Sequence, residues 1–209
     1  FETHGVCVDR AGFIYIKHCG VENSDMDTIV VFDAEGKFVR SFGKEYTNGG
    51  HGIDVRKAGS EEFLYLSDIH NREVIKTNIK GEQVWKMTYP REPELYKDLS
   101  QFRPTNVAFA PNGDFYVADG YGSSYIHQYD KRAKWVRSWG GVGTEPGKLQ
   151  TPHGLWLDDR PGREPSLVVA DRKNARLQYF TLDGKHLSFF VHARSLRTTS
   201  LERLGSIFT

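Results

Sequence analysis

The chain has 209 residues, a formal net charge of +1, 38% hydrophobic residues and 13% aromatic residues. This near-neutral charge gives no electrostatic case for binding nucleic acid or an acidic membrane surface, and no run approaches the ~18 consecutive apolar residues of a membrane-spanning helix. The 21 glycines against two methionines favour one soluble, turn-rich β domain.

Four short segments in the first part of the chain have the composition of β-strands. A repeat already begins at Thr3, so we expect no signal peptide within these residues. Alternating or β-branched hydrophobic residues predict strands at residues 3–9, 13–16, 28–33 and 37–43. The same pattern returns at residues 50–55, 63–68, 73–77 and 83–87.

The third copy of this pattern is the clearest. Val107 and Phe109 alternate with alanines, and Asn112-Gly113 then supplies the positive-φ turn that joins antiparallel strands. Further strands are predicted at residues 115–118, 125–129 and 134–140, and a fourth copy at residues 152–158, 167–171, 176–180 and 185–190. Residues 191–209 have no clear strand pattern and are left unassigned or as a partial repeat.

The spacing of the repeats indicates a β-propeller. His51 follows His4 by 47 residues, Asn106 follows His51 by 55, and His153 follows Asn106 by 47. Repeats of about 40–50 residues with four short strands are the size of propeller blades. We therefore predict a single all-β propeller domain over residues 1–209, with blades at about residues 3–43, 50–88, 104–140 and 151–190.

Ring closure suggests that more blades exist. Each blade buries its faces against its neighbours, so an open array leaves apolar faces in water. Four blades can close, but this repeat type usually builds larger rings. We therefore expect either that the 209 residues are part of a longer, six-bladed propeller or that residues are missing near the C-terminus.

Two connections depart from the strand pattern. Residues 89–99 are polar and contain prolines, which predicts a loop with one helical turn and accounts for the longer second spacing. Residues 140–148 are rich in glycine but resemble a phosphate-binding loop in composition only, because they lack Gly-Lys-Ser/Thr before a helix. Cys7 and Cys19 are too few for a disulfide framework and leave the redox compartment undecided.

Three histidines occupy one position of the repeat. His4, His51 and His153 each begin an inner strand, where the third repeat has Asn106. In a propeller these strand starts converge on the central channel, so the imidazoles are expected to meet and could bind Zn²⁺ or a similar ion. The alternative is that His-Gly is a packing or turn feature repeated by descent.

A second set of equivalent residues ends the second strand of each repeat. Asp68, Asp119 and Asp171 can accept hydrogen bonds from loop amides, and we favour this structural role. The Asp119 loop would present a carboxylate and the phenol of Tyr121 side by side. Tyr121 and Arg172 would lie at the channel mouth as a base and an anion clamp, or else be surface residues of polar loops.

These residues carry a resemblance to a known family. The repeats resemble NHL repeats, and Asp119-Gly120-Tyr121, Pro152-His153-Gly154-Leu155 and residues 169–178 resemble segments of peptidyl-α-hydroxyglycine α-amidating lyases. The resemblance spans about residues 3–190. It implies a six-bladed propeller that splits a peptidyl hydroxyglycine into a peptide amide and glyoxylate. It also implies zinc held by three histidines, a tyrosine base, substrate-binding arginines, a structural calcium, and a secreted or periplasmic location.

The resemblance assigns roles to six positions. His51 and His153 match two zinc ligands, Tyr121 matches the catalytic tyrosine, and Arg172 matches one substrate-binding arginine. The calcium ion would be held partly by main-chain carbonyls, which fall at Val6 and Ile53.

The chain also departs from the family pattern. The family has a His-Arg-Gly segment where this chain has His18-Cys19-Gly20, so Cys19 replaces the arginine and one cationic contact with the substrate is lost. The third zinc histidine and its neighbouring aspartate belong to the last blade, which the sequence does not show. Gly122 replaces a cysteine of the animal enzymes, which removes a disulfide bond.

Two kinds of function therefore stay open. One is a metal-dependent lyase acting on a small-molecule or peptide ligand in the central channel, which the four retained site residues favour. The other is a non-catalytic NHL propeller that binds a peptide, protein or small ligand on its loop face, which Cys19 favours. A related metal-dependent lactonase would need acidic metal ligands, which are not evident. The oligomeric state is undetermined.

Overall fold

The computed structural model describes residues 3–191. Within this range the regular elements are sixteen β-strands and three short 3₁₀ helices, Lys44–Tyr46, Leu99–Gln101 and Arg172–Asn174. Leu99–Gln101 supplies a helical turn between the second and third sheets, close to where the polar, proline-marked connection predicts one. Apart from Val191, the unassigned C-terminal stretch of the prediction lies outside the described residues.

The strands form four antiparallel sheets of four strands, each in simple sequence order. The first sheet contains β1 (Thr3–Val8), β2 (Ile14–His18), β3 (Ile29–Phe32) and β4 (Phe38–Phe42). The second contains β5 (Gly50–Ala58), β6 (Glu61–Asp68), β7 (Glu73–Asn78) and β8 (Gln83–Met87). The third contains β9 (Asn106–Phe109), β10 (Phe115–Ala118), β11 (Tyr125–Tyr129) and β12 (Trp135–Gly140). The fourth contains β13 (Pro152–Asp158), β14 (Ser166–Asp171), β15 (Arg176–Thr181) and β16 (His186–Val191).

This arrangement confirms the predicted all-β propeller fold with four blades. Each sheet is one blade, and the first strands β1, β5, β9 and β13 lie beside one another in that order. The turn predicted at Asn112-Gly113 joins β9 to β10, and Gly113 has the expected positive φ of 94°. Among residues 3–191 there is no helix with the length and apolar character needed to cross a membrane.

The hydrophobic core lies between the blades. One cluster joins the first and second blades through Tyr15, Ile29, Leu64 and Leu66, and the two further clusters lie between the second and third and between the third and fourth blades. Each fully buried side chain of this size contributes roughly 1.5–3 kcal/mol. The blades therefore stabilise one another, as expected of an array of repeats.

Strand position within a blade decides burial. All four residues of β10 are buried, because this strand lies inside the third blade with a blade on either side. The outermost strand β16 has no buried residue. The two ends of the array also expose apolar side chains, since Val6 is 62% exposed and Trp156 is 71% exposed. Among residues 3–191, no further blade covers these two faces.

Lys17 fastens the first blade to the second. Its side chain is fully buried, and its ammonium donates hydrogen bonds to the Ser67 carbonyl at 2.6 Å and the Gly49 carbonyl at 3.1 Å. Burial lowers the pKa of Lys17 to about 8, although the nearby Asp68 acts in the opposite direction. Ser67 lies in β6 of the second blade and Gly49 directly precedes β5, so this lysine is an inter-blade link.

We predict that Lys17→Met lowers the free energy of unfolding by about 2 kcal/mol, because it leaves two buried carbonyls without a donor. The wild type should also gain stability relative to the variant as the pH rises from about 8 to about 10.4. In this window the unfolded chain keeps the lysine proton that the folded chain has released. Chemical denaturation at about pH 7 and about pH 9.5 measures both effects. The exposed Lys37→Met is the control, and an equal loss in both variants contradicts the link.

Candidate functional site

The histidines are positioned by β-bulges. Inner strands that begin with His-Gly carry a register shift at that pair, whereas β9, which has no His-Gly pair, pairs regularly with β10. A bulge inserts an extra residue and redirects its side chain. The shifts lie between Thr3 and Gly5, between Gly50 and Ile53, and between Pro152 and Leu155.

The structure brings the three repeat-equivalent imidazoles together. His4 stacks on His51 with ring centroids 5.0 Å apart and an interplanar angle of 14°. The rings of His51 and His153 meet edge to face at 4.6 Å, and their Nε2 atoms are 3.2 Å apart. Residues separated by about a hundred positions thus place two ring nitrogens in direct contact.

His51 is held as a neutral imidazole. Its Nδ1 is hydrogen-bonded to the carbonyl oxygen of Thr105, which only accepts, so Nδ1 carries the proton and Nε2 presents a lone pair. Burial lowers the pKa of His51 to about 3, and the neighbouring His153 and His4 act in the same direction. Burial also lowers the pKa of His153, with Arg172 as the next cause. Both rings are therefore neutral near pH 7.

Tyr121 and Arg172 complete the cluster. The Tyr121 hydroxyl lies 3.0 Å from His153 Nε2, and Arg172 Nη1 donates to the same hydroxyl at 3.1 Å. The Arg172 guanidinium also lies over the Tyr121 ring at 5.2 Å. Tyr121 lies in the loop after β10, and Arg172 opens the short helix after β14, so two neighbouring blades supply the pair.

His153 Nε2 lies near two polar groups, the Tyr121 hydroxyl at 3.0 Å and His51 Nε2 at 3.2 Å. The Tyr121 oxygen has one proton and two acceptor lone pairs, so it can accept from Arg172 and still either donate to His153 Nε2 or accept from it. Because His51 carries its proton on Nδ1, a direct hydrogen bond between the two rings requires a proton on His153 Nε2. In the other neutral tautomer of His153, the lone pairs of both Nε2 atoms face each other.

The aspartates at the ends of the second strands turn into the protein. Asp68 accepts from the amides of His70 at 2.9 Å and Asn71 at 2.7 Å, while Asp171 accepts from the Gln150 amide at 2.6 Å. Both carboxylates are fully buried. This is the structural role that the sequence favoured.

One expectation about this set is wrong. The Asp119 carboxylate does not stand beside the Tyr121 phenol, because it is fully buried and accepts from the amides of Arg103 at 2.7 Å and Ser123 at 2.5 Å. Tyr121 points the other way, toward His153. A loop that must satisfy a buried carboxylate with its own amides cannot also present it to a ligand.

The positions predicted for calcium lie at equivalent points of two inner strands. Val6 and Ile53 each follow the histidine by two residues, and the side chain of Ile53 is buried while that of Val6 is exposed. No group of three His, Cys, Asp or Glu side chains within residues 3–191 is arranged to hold a metal ion. Cys19 lies near the site, with Sγ 3.7 Å from the Gly50 carbonyl oxygen, but it brings no positive charge.

A depression of about 520 Å³ adjoins the Tyr121–Arg172 pair. Its wall includes Lys173, Gln150 and Val142, and Val142 is 68% exposed. The glycine-rich connection therefore contributes to the site, which its composition did not indicate. The Thr105 carbonyl was also missed, since a main-chain acceptor leaves no signal in the sequence.

Comparison with known proteins identifies relatives, although no family model matches the chain. It is 30% identical over 180 residues to the peptidyl-glycine alpha-amidating monooxygenase of Mus musculus, covering 83% of this chain and 18% of that protein. It is 30% identical over 169 residues to a probable peptidyl-alpha-hydroxyglycine alpha-amidating lyase of Caenorhabditis elegans, covering 79% of this chain and 45% of that protein. The chain thus spans less than half the length of these relatives.

Solved structures support the fold. A streptogramin B lyase matches 91% of this chain and 55% of its own length with a TM-score of 0.63 and 14% identity. The virginiamycin B lyase of Staphylococcus aureus matches 91% of this chain and 56% of its own length with a TM-score of 0.63 and 16% identity. At this identity the likeness concerns the propeller fold alone.

We predict that Gly52→Ala lowers the free energy of unfolding by about 2 kcal/mol and disturbs His51. An added Cβ would lie 2.7 Å from the Thr105 carbonyl oxygen, the same atom that orients His51. The matched control is Gly154→Ala, whose Cβ would meet only Ala170 Cβ at 3.7 Å. Chemical denaturation compares the two variants. Equal losses in the two variants would contradict this assignment.

Proposed function

We propose that this chain, a β-propeller homologue of the peptidyl-α-hydroxyglycine α-amidating lyases, cleaves peptides that end in α-hydroxyglycine. The products would be the peptide amide and glyoxylate. The observation that carries the proposal is the continuous line of contacts from Arg172 to Tyr121 to His153 to His51. A guanidinium, a phenol and two neutral imidazoles meet there beside an open depression.

The proposed reaction requires few groups. The hydroxyl of the terminal unit loses its proton, its C–O bond becomes the carbonyl of glyoxylate, and the C–N bond breaks. The nitrogen keeps the electron pair and takes up a proton to become the amide. A base for the hydroxyl and a cation for the carboxylate are therefore needed, and a proton must reach the nitrogen.

Tyr121 and Arg172 suit the first two tasks. Tyr121 would act as a phenolate, after releasing its own proton to solvent, and would take the hydroxyl proton as the base. Arg172 donates to this oxygen, which favours the negative charge that it carries in that role. A guanidinium has five N–H donors in a planar fork, so Arg172 has further donors for a substrate carboxylate. Tyr121 would then return the proton to the departing nitrogen.

The donor set fits a metal ion. His51 and His153 would hold it through Nε2, whose 3.2 Å separation is close to the ~3.3 Å expected of two ligands about 2.0–2.1 Å from a tetrahedral ion. When bound, zinc would polarise the substrate hydroxyl and make it more acidic. A structural calcium at the carbonyls of Val6 and Ile53 remains part of this proposal. Residues 3–191 contain no cluster of three His, Cys, Asp or Glu side chains that would include a third zinc ligand.

One observation favours a second candidate function. Cys19 stands where the resemblance calls for a second substrate-binding arginine, so one cationic contact is absent beside the inner strand of His51. A propeller that binds a peptide or small ligand in the same depression without cleaving it would tolerate this loss. Activity measurements separate the two candidates.

We predict that the purified full-length protein, incubated with zinc and desalted, retains about one equivalent of zinc per chain. The double variant His51→Ala/His153→Ala should retain none, because both nitrogen donors are gone. Elemental analysis by mass spectrometry measures the metal content. The exposed His70→Ala is the control and should bind like the wild type. Stoichiometric zinc in the double variant would remove the metal-dependent lyase from consideration.

We predict that Tyr121→Phe lowers kcat for glyoxylate release from an α-hydroxyglycine peptide by about 100-fold or more, because the base is lost. Thermal stability should stay unchanged, since the phenol lies outside the core clusters. Arg172→Ala should mainly raise KM by removing the carboxylate contact.

The control for this assay is Tyr179→Phe, a tyrosine on the open face of the fourth blade. Full activity in Tyr121→Phe would exclude the proposed base. A wild-type protein that is loaded with zinc and releases no glyoxylate would support the ligand-binding alternative.

A further inference from the structure

A chain of hydrogen bonds crosses the third blade and ends at the loop that carries Tyr121. Trp135 Nε1 donates to Ser138 Oγ at 2.9 Å, and Ser138 Oγ lies 2.7 Å from His127 Nδ1. His127 Nε2 lies 2.6 Å from the Tyr96 hydroxyl, which in turn donates to Asp119 Oδ2 at 2.8 Å. His127, Tyr96 and Asp119 are all buried.

The groups at the two ends determine the donor-to-acceptor direction of this series of hydrogen bonds. An indole N–H only donates and a carboxylate only accepts, so each group between them accepts from one side and donates to the other. Burial lowers the pKa of His127 to about 3, which leaves a neutral ring with one N–H. Burial also raises the pKa of Tyr96 well above the usual range, so its hydroxyl keeps the proton that Asp119 needs. The hydrogen bonds therefore all run in one direction. Ser138 donates to His127 Nδ1, His127 Nε2 donates to the Tyr96 oxygen, and the Tyr96 hydroxyl donates to Asp119.

Asp119 determines the path of the Tyr121 loop. Its carboxylate accepts from the amides of Arg103 and of Ser123, which follows Tyr121 by two residues. The Tyr121 amide itself donates to the Arg103 carbonyl at 3.3 Å. A Cβ at Gly122 would lie 2.0 Å from Asp119 Oδ1, so the loop packs directly on the carboxylate. A displaced Asp119 would therefore displace the Tyr121 phenol.

The third blade lacks the local support that the second and fourth blades give the equivalent aspartate. Asn71 Nδ2 donates to Asp68 Oδ2 at 3.0 Å, and Asn174 Nδ2 donates to Asp171 Oδ2 at 2.8 Å, each from three residues further along the chain. The equivalent residue after Asp119 is Gly122, which has no side chain. Tyr96 replaces this donor and reaches Asp119 from the connection between the second and third blades.

We propose that Tyr96 and His127 are positioning residues for Tyr121, acting through Asp119; this inference rests on the proposed function, in which Tyr121 is the base. The long connection before the third blade is then part of the site's support. Neither residue touches the depression, so their effect on a bound substrate is indirect.

The test places 3-fluorotyrosine at position 121 of the full-length protein and records its ¹⁹F NMR signal. Tyr96→Phe should shift or broaden this signal, because Asp119 loses its hydroxyl donor and the loop loosens. It should also lower kcat by about tenfold, the effect of a slightly misplaced base, while zinc content stays unchanged. The control is Tyr116→Phe, a buried tyrosine of the same blade whose hydroxyl bonds the Leu182 carbonyl and has no link to Asp119.

A second variant keeps the proposal testable if Tyr96→Phe fails to fold. Tyr96→Phe/His127→Leu removes both partners of one hydrogen bond, so no ring N–H is left buried without an acceptor. A fluorine signal equal to that of the wild type, in either variant, overturns the proposal even if thermal stability falls. A changed signal that Tyr116→Phe does not reproduce supports it. If the wild type releases no glyoxylate, the proposed function fails, and the fluorine spectra still decide whether Tyr96 positions Tyr121.

Discussion

The contact between neighbouring inner strands is the constraint on which the site depends. Glycine at position 5 or 52 lets one strand approach the next blade so closely that a Cβ would lie 2.7 Å from a carbonyl oxygen. The same His-Gly pair forms the bulge that directs the histidine. For His51, the neighbouring strand also supplies the Thr105 carbonyl that fixes the ring's tautomer. One backbone approach thus sets both the packing of blades and the orientation of a candidate ligand.

Several polar groups that are buried between these blades have specific hydrogen-bond partners. Lys17 donates to the carbonyls of Ser67 and Gly49, and the buried aspartates accept from loop amides and amide side chains. Leaving any such group without its partner costs roughly 1–3 kcal/mol, so these contacts select one relative placement of the blades. The positions of the loops that carry Tyr121 and Arg172 depend on that placement of the blades. Structural polar residues and candidate catalytic residues are therefore adjacent but distinct.

The repeats are equivalent in fold but not in detail, and their differences lie around the site. Asn106 replaces the inner-strand histidine in the third blade, and its side-chain oxygen accepts from the Leu155 amide at 3.0 Å, joining two blades. Gly122 replaces the asparagine that supports the aspartate in the second and fourth blades. The third blade thus combines the most buried strand with the loop that carries the phenol. Its support comes from Tyr96, outside the repeat.

The sequence by itself determined the repeat, the sixteen strands and the convergence of His51 and His153, because strand periodicity, Asn-Gly turns and repeat spacing are local signals. It did not show that Asp119 turns inward while Tyr121 points to His153, nor that Tyr96 reaches Asp119 from the preceding connection. Those contacts join residues that are far apart in the chain. They form because packing of the blades excludes water from buried polar groups, which must then find hydrogen-bond partners within the protein. Only the tertiary structure therefore determines which residues become partners.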